Sequence, residues 1–213
     1  MLKPCSVIAS VWFRFRFRFR FRFLLRARGQ AAALAWAALG LAGCGIPAAW
    51  AESTFTVTSK DLPPGEPLGN AFVYDKNGCH GLNRSPQLQW SGEPPGTRSF
   101  AVTMVDIDAP GPGWWHWAVA GIPASVHALP TQASGSDRLK QMGAIEARND
   151  YDDASGYGGP CPPPGKPHRY VVTVYALNTV DLRLAAGRPA LMFEHEIGTA
   201  TLAKARITVT YGR

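Results

Sequence analysis

The first 51 residues contain no Asp and no Glu. They carry Lys3 and seven arginines, so this segment alone is +8, whereas residues 52–213 set 14 Lys and Arg against all 15 acids and stand at −1. The overall +7 therefore reports a basic leader rather than a basic surface, and gives no reason to expect a nucleic-acid partner. Paired metal-ligand spacings are missing too: there is no Cys-x-x-Cys and no His-x-x-x-His, which argues against a zinc centre. No Gly-x-Ser-x-Gly elbow occurs, so nothing specifies a hydrolase nucleophile. There is no internal repeat, and the apolar run from Ala31 to Ile46 is short for a membrane span. Cysteine is scarce. Of the four, only Cys79 and Cys161 lie beyond the leader.

What the leader does contain reads as an export signal. A cationic region ends at Arg28, the Ala/Leu-rich run follows, and Ala49-Trp50-Ala51 fits the small-x-small cleavage rule, with Pro47 just before it. Cleavage after Ala51 would release a single domain, residues 52–213, to the periplasm or the medium. Leu41-Ala42-Gly43-Cys44 offers a second reading, a lipoprotein signal that leaves a lipid anchor on Cys44. The alternation from Phe13 to Phe23, five Phe-Arg pairs closed by Phe, is low in complexity. As a strand it would have one cationic and one aromatic face, suited to an anionic membrane; a start codon placed too far upstream is the simpler account.

Beyond the leader, Thr54 to Ser59 alternates as a half-buried strand, and Leu88-Gln89-Trp90 is a short strand candidate. Ser99 to Val105 and Trp115 to Ile122 read as antiparallel neighbours, because only a nine-residue loop separates them. Asp106 and His116 then meet at one end of the sheet. Strict alternation puts His116 on the same face as Ala118 and Ala120, where small residues leave room for a pocket. Pro123 to Gly143 reads as a long surface excursion. Tyr170 to Leu177 is apolar on both faces, as a central strand is. Pro189 to Lys204 is the one good helix candidate, and Arg206 to Tyr211 a last strand. The pattern predicts a mainly β domain, a two-layer antiparallel β-sandwich with a late C-terminal helix.

The stretch Tyr157 to Tyr170, with five prolines and three glycines, can be neither helix nor central strand. It is a stiff loop that delivers Cys161, His168 and Arg169 to the start of that central strand. In an exported protein two cysteines usually pair, so Cys79–Cys161 is the expected disulfide. His80, His127 and His195 have no evident partner and are read as surface or capping residues.

Asp-Ile-Asp-Ala-Pro at 106–110, Trp-His-Trp at 115–117, Gly-Gly-Pro-Cys-Pro-Pro at 158–163 and Pro-His-Arg-Tyr at 167–170 resemble the two signature blocks of the phosphatidylethanolamine-binding protein family. The bacterial, Raf-kinase-inhibitor-like branch is the most similar, and Asn149-Asp150-Tyr151, Val174-Tyr175-Ala176-Leu177 and the closing Thr210-Tyr211-Gly212-Arg213 also fit it. The resemblance covers Thr54 to Arg213. It implies a β-sandwich with a cavity at one end for small anionic or phosphorylated ligands. Carried over, the ligand residues are Asp106, His116, His168 and Tyr170, with backbone contacts from Gly159 and Pro160. Asp108, Pro110 and Arg169 would support the loops, Asp108 and Arg169 as an ion pair. Two departures stand out: Ile107 replaces the family's usual Pro, and Thr199-Ala200 lacks a Gly-His pair common in the branch.

Histidines in such a pocket could donate to phosphoryl oxygens and become cationic when an anion arrives. No cofactor, metal or enzymatic activity is expected. The alternatives are a protein-inhibitor or signalling module acting on a kinase or protease, and a minor hydrolase. A zinc centre of Asp106, His116, His168 and Cys161 is the metal alternative, with no paired spacing behind it.

Overall fold

The computed structural model describes residues 54–151 and 155–213, so both readings of the leader lie outside the described residues. Eight strands form two antiparallel sheets. The small sheet has the order β1-β2-β5, from Thr56–Thr58 (β1), Leu88–Ser91 (β2) and Ala128–Leu129 (β5). The large sheet has the order β6-β4-β3-β7-β8, from Ile145–Glu146 (β6), Trp114–Pro123 (β4), Ser99–Asp106 (β3), His168–Leu177 (β7) and Thr201–Tyr211 (β8). A short helix α1 (Asp137–Gln141) and a longer α2 (Ala190–Ala200) complete the described elements with a 3-10 turn at Asn70–Phe72.

The main core lies between the sheets. Val57, Leu88, Trp90 and Leu129 of the small sheet face Phe100, Val102, Met104, Val172 and Val174 of the large one. Alternate residues of β3 and β7 thus point inward, as the period of two requires. The opposite residues need cover as well, and α2 supplies part of it. Ala190, Phe193, Ile197 and Ala200 recur at helical spacing and pack on Ala101, Ala118, Ala120 and Leu177. Phe193 and Ile197 are buried, each contributing on the order of 1.5–3 kcal/mol. The central-strand reading of 170–177 is met: β7 sits between β3 and β8 with apolar cover on both faces.

Three expectations need correction. The helix stops at Ala200 rather than Lys204, and β8 begins at Thr201 without an intervening loop. Thr201 Oγ1 donates to the Ile197 carbonyl at 2.7 Å and its backbone pairs with Leu177, so sheet pairing wins over continued helical spacing at Leu202. The stretch 123–143 is not a surface excursion: β5 and α1 lie in it, and Leu129, Ala133 and Leu139 are core residues. The third concerns His116. Met104 pairs with Trp117 but Val105 pairs with Trp115, so His116 is the extra residue of a β-bulge. Alternation breaks there, and His116 turns to the inner face while Trp115 stays with Ala118 and Ala120 on the outer one.

The proline-rich loop is fastened to the 72–83 segment. Tyr157 donates its hydroxyl to the Phe72 carbonyl at 2.6 Å, Tyr74 N–H bonds the Pro160 carbonyl at 3.2 Å, and Cys79 and Cys161 form a disulfide. A Cβ on Gly159 would stand 2.3 Å from the Phe72 carbonyl oxygen, so only glycine allows this approach.

Candidate functional site

Antiparallel pairing brings the end of β3, the start of β4 and the start of β7 to one edge: Asp106 lies opposite both Trp114 and Tyr170. A cavity of about 410 Å³ opens there. Asp106, His116, His168 and Tyr170 lie at its polar end, and Pro110, Trp114, Tyr151, Pro162 and Pro163 form apolar walls.

Asp106 is buried, and both its carboxylate oxygens are engaged. Oδ2 meets His168 Nδ1 at 2.7 Å, and Oδ1 accepts the backbone N–H groups of Asp108 at 2.9 Å and Ala109 at 3.1 Å. His168 Nδ1 thus carries the hydrogen toward Asp106, and Nε2 is left for a ligand. His116 donates Nδ1–H to the Gly158 carbonyl at 2.6 Å, which fixes its tautomer, since a carbonyl can only accept. Burial pushes its pKa down to about 4, against the opposing pull of the Gly158 and Gly159 carbonyls and the Asp106 charge. His116 is therefore neutral at pH 7 and presents a bare Nε2. Without an anion, burial keeps His116 uncharged, so a ligand that charges it has to offset that burial.

Tyr170 is fully buried, and its hydroxyl lies toward the Asp106 carboxylate without reaching hydrogen-bond geometry. Burial raises its pKa, and the Asp106 carboxylate raises it further, so it remains a donor throughout the working range. Tyr151 completes the wall: it stacks on Tyr74 with centroids 3.9 Å apart, meets His116 edge-on, and donates to the Gly159 carbonyl at 2.9 Å.

The structure separates the remaining residues by role. Asp108 clasps Arg169, taking Nε at 2.9 Å, Nη2 at 2.7 Å and the backbone N–H at 2.8 Å. The guanidinium holds the Asp108 carboxyl well below its usual range. This pair faces away from the cavity and ties the β3–β4 loop to β7. Gly159 and Pro160 do not line the cavity, contrary to expectation. Gly159 N–H is taken by Asn83 Oδ1 at 2.7 Å, and both carbonyls accept from Tyr151 and Tyr74. Cys161, Pro162 and Pro163 line it instead, and the bridged Cys161 has no thiolate to offer a metal. His127 has a partner after all, Glu93 Oε1 at 2.8 Å.

Sequence reasoning missed Asp150 as a lining residue. Its carboxylate caps the Trp115 N–H at 2.7 Å at the bulge, and no residue pattern announces that. Among the described residues no Lys or Arg lines the cavity, and the charged or chargeable groups in its lining are Asp106, Asp150 and the two histidines. A roomier groove of about 610 Å³ runs along α2, but its walls are side chains such as Arg183, Arg188 and Met192, with no buried polar group to orient a ligand.

A sandwich of antiparallel sheets with a histidine- and tyrosine-floored cavity at one end defines the class. The chain belongs to the phosphatidylethanolamine-binding protein family, whose sequence model matches residues 58–212. Within it, the chain is similar to the UPF0098 protein YbcL of Escherichia coli K12, 44% identical over 162 residues, which are 75% of this chain and 88% of that one. YbhB of the same organism is 39% identical over 155 residues, 72% of this chain and 97% of its own. The crystal structure of E. coli YbcL, described as a new member of the mammalian PEBP family, matches with a TM-score of 0.71 at 43% identity, covering 75% of this chain and 98% of that one. A Mycobacterium tuberculosis protein named as a candidate lipoprotein, LppC, is 33% identical over 166 residues, 78% of this chain and 75% of its own. None of these relatives is named as an enzyme. Among the described residues no helix is long and apolar enough to cross a membrane.

Proposed function

We propose that this protein is an exported binding protein for a small anionic or phosphorylated ligand, held between Asp106, His116, His168 and Tyr170. The observation that carries the reading is the buried Tyr170 hydroxyl, without a partner beside the Asp106–His168 pair. An unmet buried donor costs about 1–3 kcal/mol, which a ligand oxygen would recover. His168, with a side chain 21% exposed, lines the cavity with Nδ1 turned to Asp106, which leaves Nε2 to accept from the hydroxyl of a phosphate monoanion. Asp106 then orients His168 rather than repelling the ligand, and Trp114 with Tyr151 shields an apolar tail. With no Lys or Arg among the described lining residues, a phosphomonoester fits better as its monoanion, so binding tightens as pH falls from 8 toward 6. Export rests on the leader and on the name of the LppC relative; the intact mass of the exported protein tells a chain starting at Glu52 from one lipidated on Cys44.

Calorimetric titration with phenyl phosphate tests the site. His168→Ala weakens binding about tenfold or more, equivalent to about 1.4 kcal/mol. Equal affinity in the two proteins overturns the assignment.

A further inference from the structure

The outer face of the large sheet changes character along β3 and β7. Under α2 it is Ala101, Ala118, Ala120 and Leu177, small and apolar. Beyond the helix it becomes polar: Thr103 and Thr173 oppose each other across the strands and are almost wholly buried, and Thr103 Oγ1 lies 3.5 Å from the Tyr175 hydroxyl. Here the surface sinks into a second recess, also of about 410 Å³. Ile107 and Pro112 of the β3–β4 loop form one bank, Arg206 and Thr208 of β8 another, and Glu194 of α2 stands at the edge.

Two donors among the residues lining this recess have no protein acceptor among the described residues, one of them buried and one exposed to water. Trp115 is 3% exposed, and its indole Nε1 is buried without a hydrogen-bond partner. Arg206 is exposed and forms no ion pair among the described residues. An indole N–H can only donate, and a guanidinium only donates. Both therefore call for acceptor oxygens, and a carboxylate has two. Val105, Val171, the Trp115 ring and the exposed Ile107 would hold an apolar body beside it. Glu194 makes a doubly charged ligand the poorer fit, which distinguishes this recess from a phosphate site.

We infer that this recess is a second ligand site, which takes a small monocarboxylate with an apolar body. Its carboxylate accepts from Trp115 Nε1 and pairs with Arg206. The inference is independent of the ligand assigned to the inner cavity.

Nitrogen-15 NMR on the intact protein tests it, following the Trp115 indole N–H resonance, identified by its loss in Trp115→Phe. Phenylacetate should shift that resonance saturably. The neutral isostere phenylacetamide should bind about tenfold more weakly, and Arg206→Gln should weaken phenylacetate about fivefold or more. Arg206 is exposed, so its replacement leaves the fold intact. His168→Ala, in the other cavity, leaves the titration unchanged. The proposal is overturned if phenylacetate gives no saturable shift, if the amide binds equally well, if Arg206→Gln binds like the parent, or if His168→Ala abolishes the response.

Discussion

Two recesses of equal size, each about 410 Å³, open at the same end of the large sheet, one on each face, and they are built differently. The inner one is floored by strand ends and walled by loops, and those loops are tied down. A disulfide, a tyrosine–carbonyl bond and five prolines fix one wall, and a bidentate ion pair fixes the other. The outer one stands mostly on the strands themselves, with few polar groups paired. Trp115 and His116, neighbours in sequence, point to opposite faces as strand neighbours do, and the one-residue bulge decides which of them enters which recess. Rigid loops can orient a ligand closely at a cost in crosslinks; strands give a ready-made floor whose polar groups await a partner.

The comparison is broken most forcefully by removing the disulfide. Replacing Cys79 and Cys161 together by Ser lowers stability by several kcal/mol, with about 4.5 kcal/mol as the chain-entropy ceiling for a bridge spanning 82 residues. Urea unfolding measures the loss. At low urea the variant should bind phenyl phosphate more weakly yet keep its phenylacetate response. Loss of both would show that the two recesses are not separately supported.

Acidification tests how dry the inner face is. Folding takes the His116 pKa from its ordinary 6.5 to about 4, so between these values the unfolded chain holds more protons than the folded one. This stability is complete above about pH 6.5 and disappears as pH falls toward 4, a change on the order of 3 kcal/mol. Urea midpoints across that range should fall more steeply for the parent than for His116→Gln. Parallel profiles would mean that the His116 site is wet.

The smallest effect is expected at the ion pair. Asp108→Ala removes three contacts on an exposed clasp, so the unfolding midpoint hardly moves. Amide exchange at Ile107 and Ala109 should nevertheless quicken by about an order of magnitude, because that loop opens locally. Unchanged exchange there would assign the loop's rigidity to Pro110 and Pro112 instead.

Much of this was legible in the sequence, for physical reasons that also explain the rest. Ser99–Asp106 and His168–Leu177 announce themselves because long buried strands leave long apolar records. The cysteine pairing was readable because only two candidates lay beyond the leader. Ala128–Leu129 and Ile145–Glu146 were invisible, since two residues have no period. Alternation puts His116 on the wrong face because it assumes an unbroken register, and a bulge leaves no residue signature in Trp-His-Trp. The resemblance gives Gly159 and Pro160 to the ligand, yet their backbone groups bond Asn83, Tyr151 and Tyr74. A sequence shows that a backbone is exposed in a turn, not what fills its hydrogen bonds.

The disulfide divides the molecule covalently into a ring, an N-terminal arm that carries β1, and a C-terminal tail. Strands β2 to β6 lie within the closed circuit from Cys79 to Cys161, while β7, α2 and β8 hang outside it. Asp106 and His116 sit on the ring; His168 and Tyr170 sit on the tail. A protease cut anywhere inside the circuit leaves one molecule, separable into fragments only by reduction. The inner cavity exists only when the tail has been laid against the ring, so its occupancy reports completed assembly of the domain.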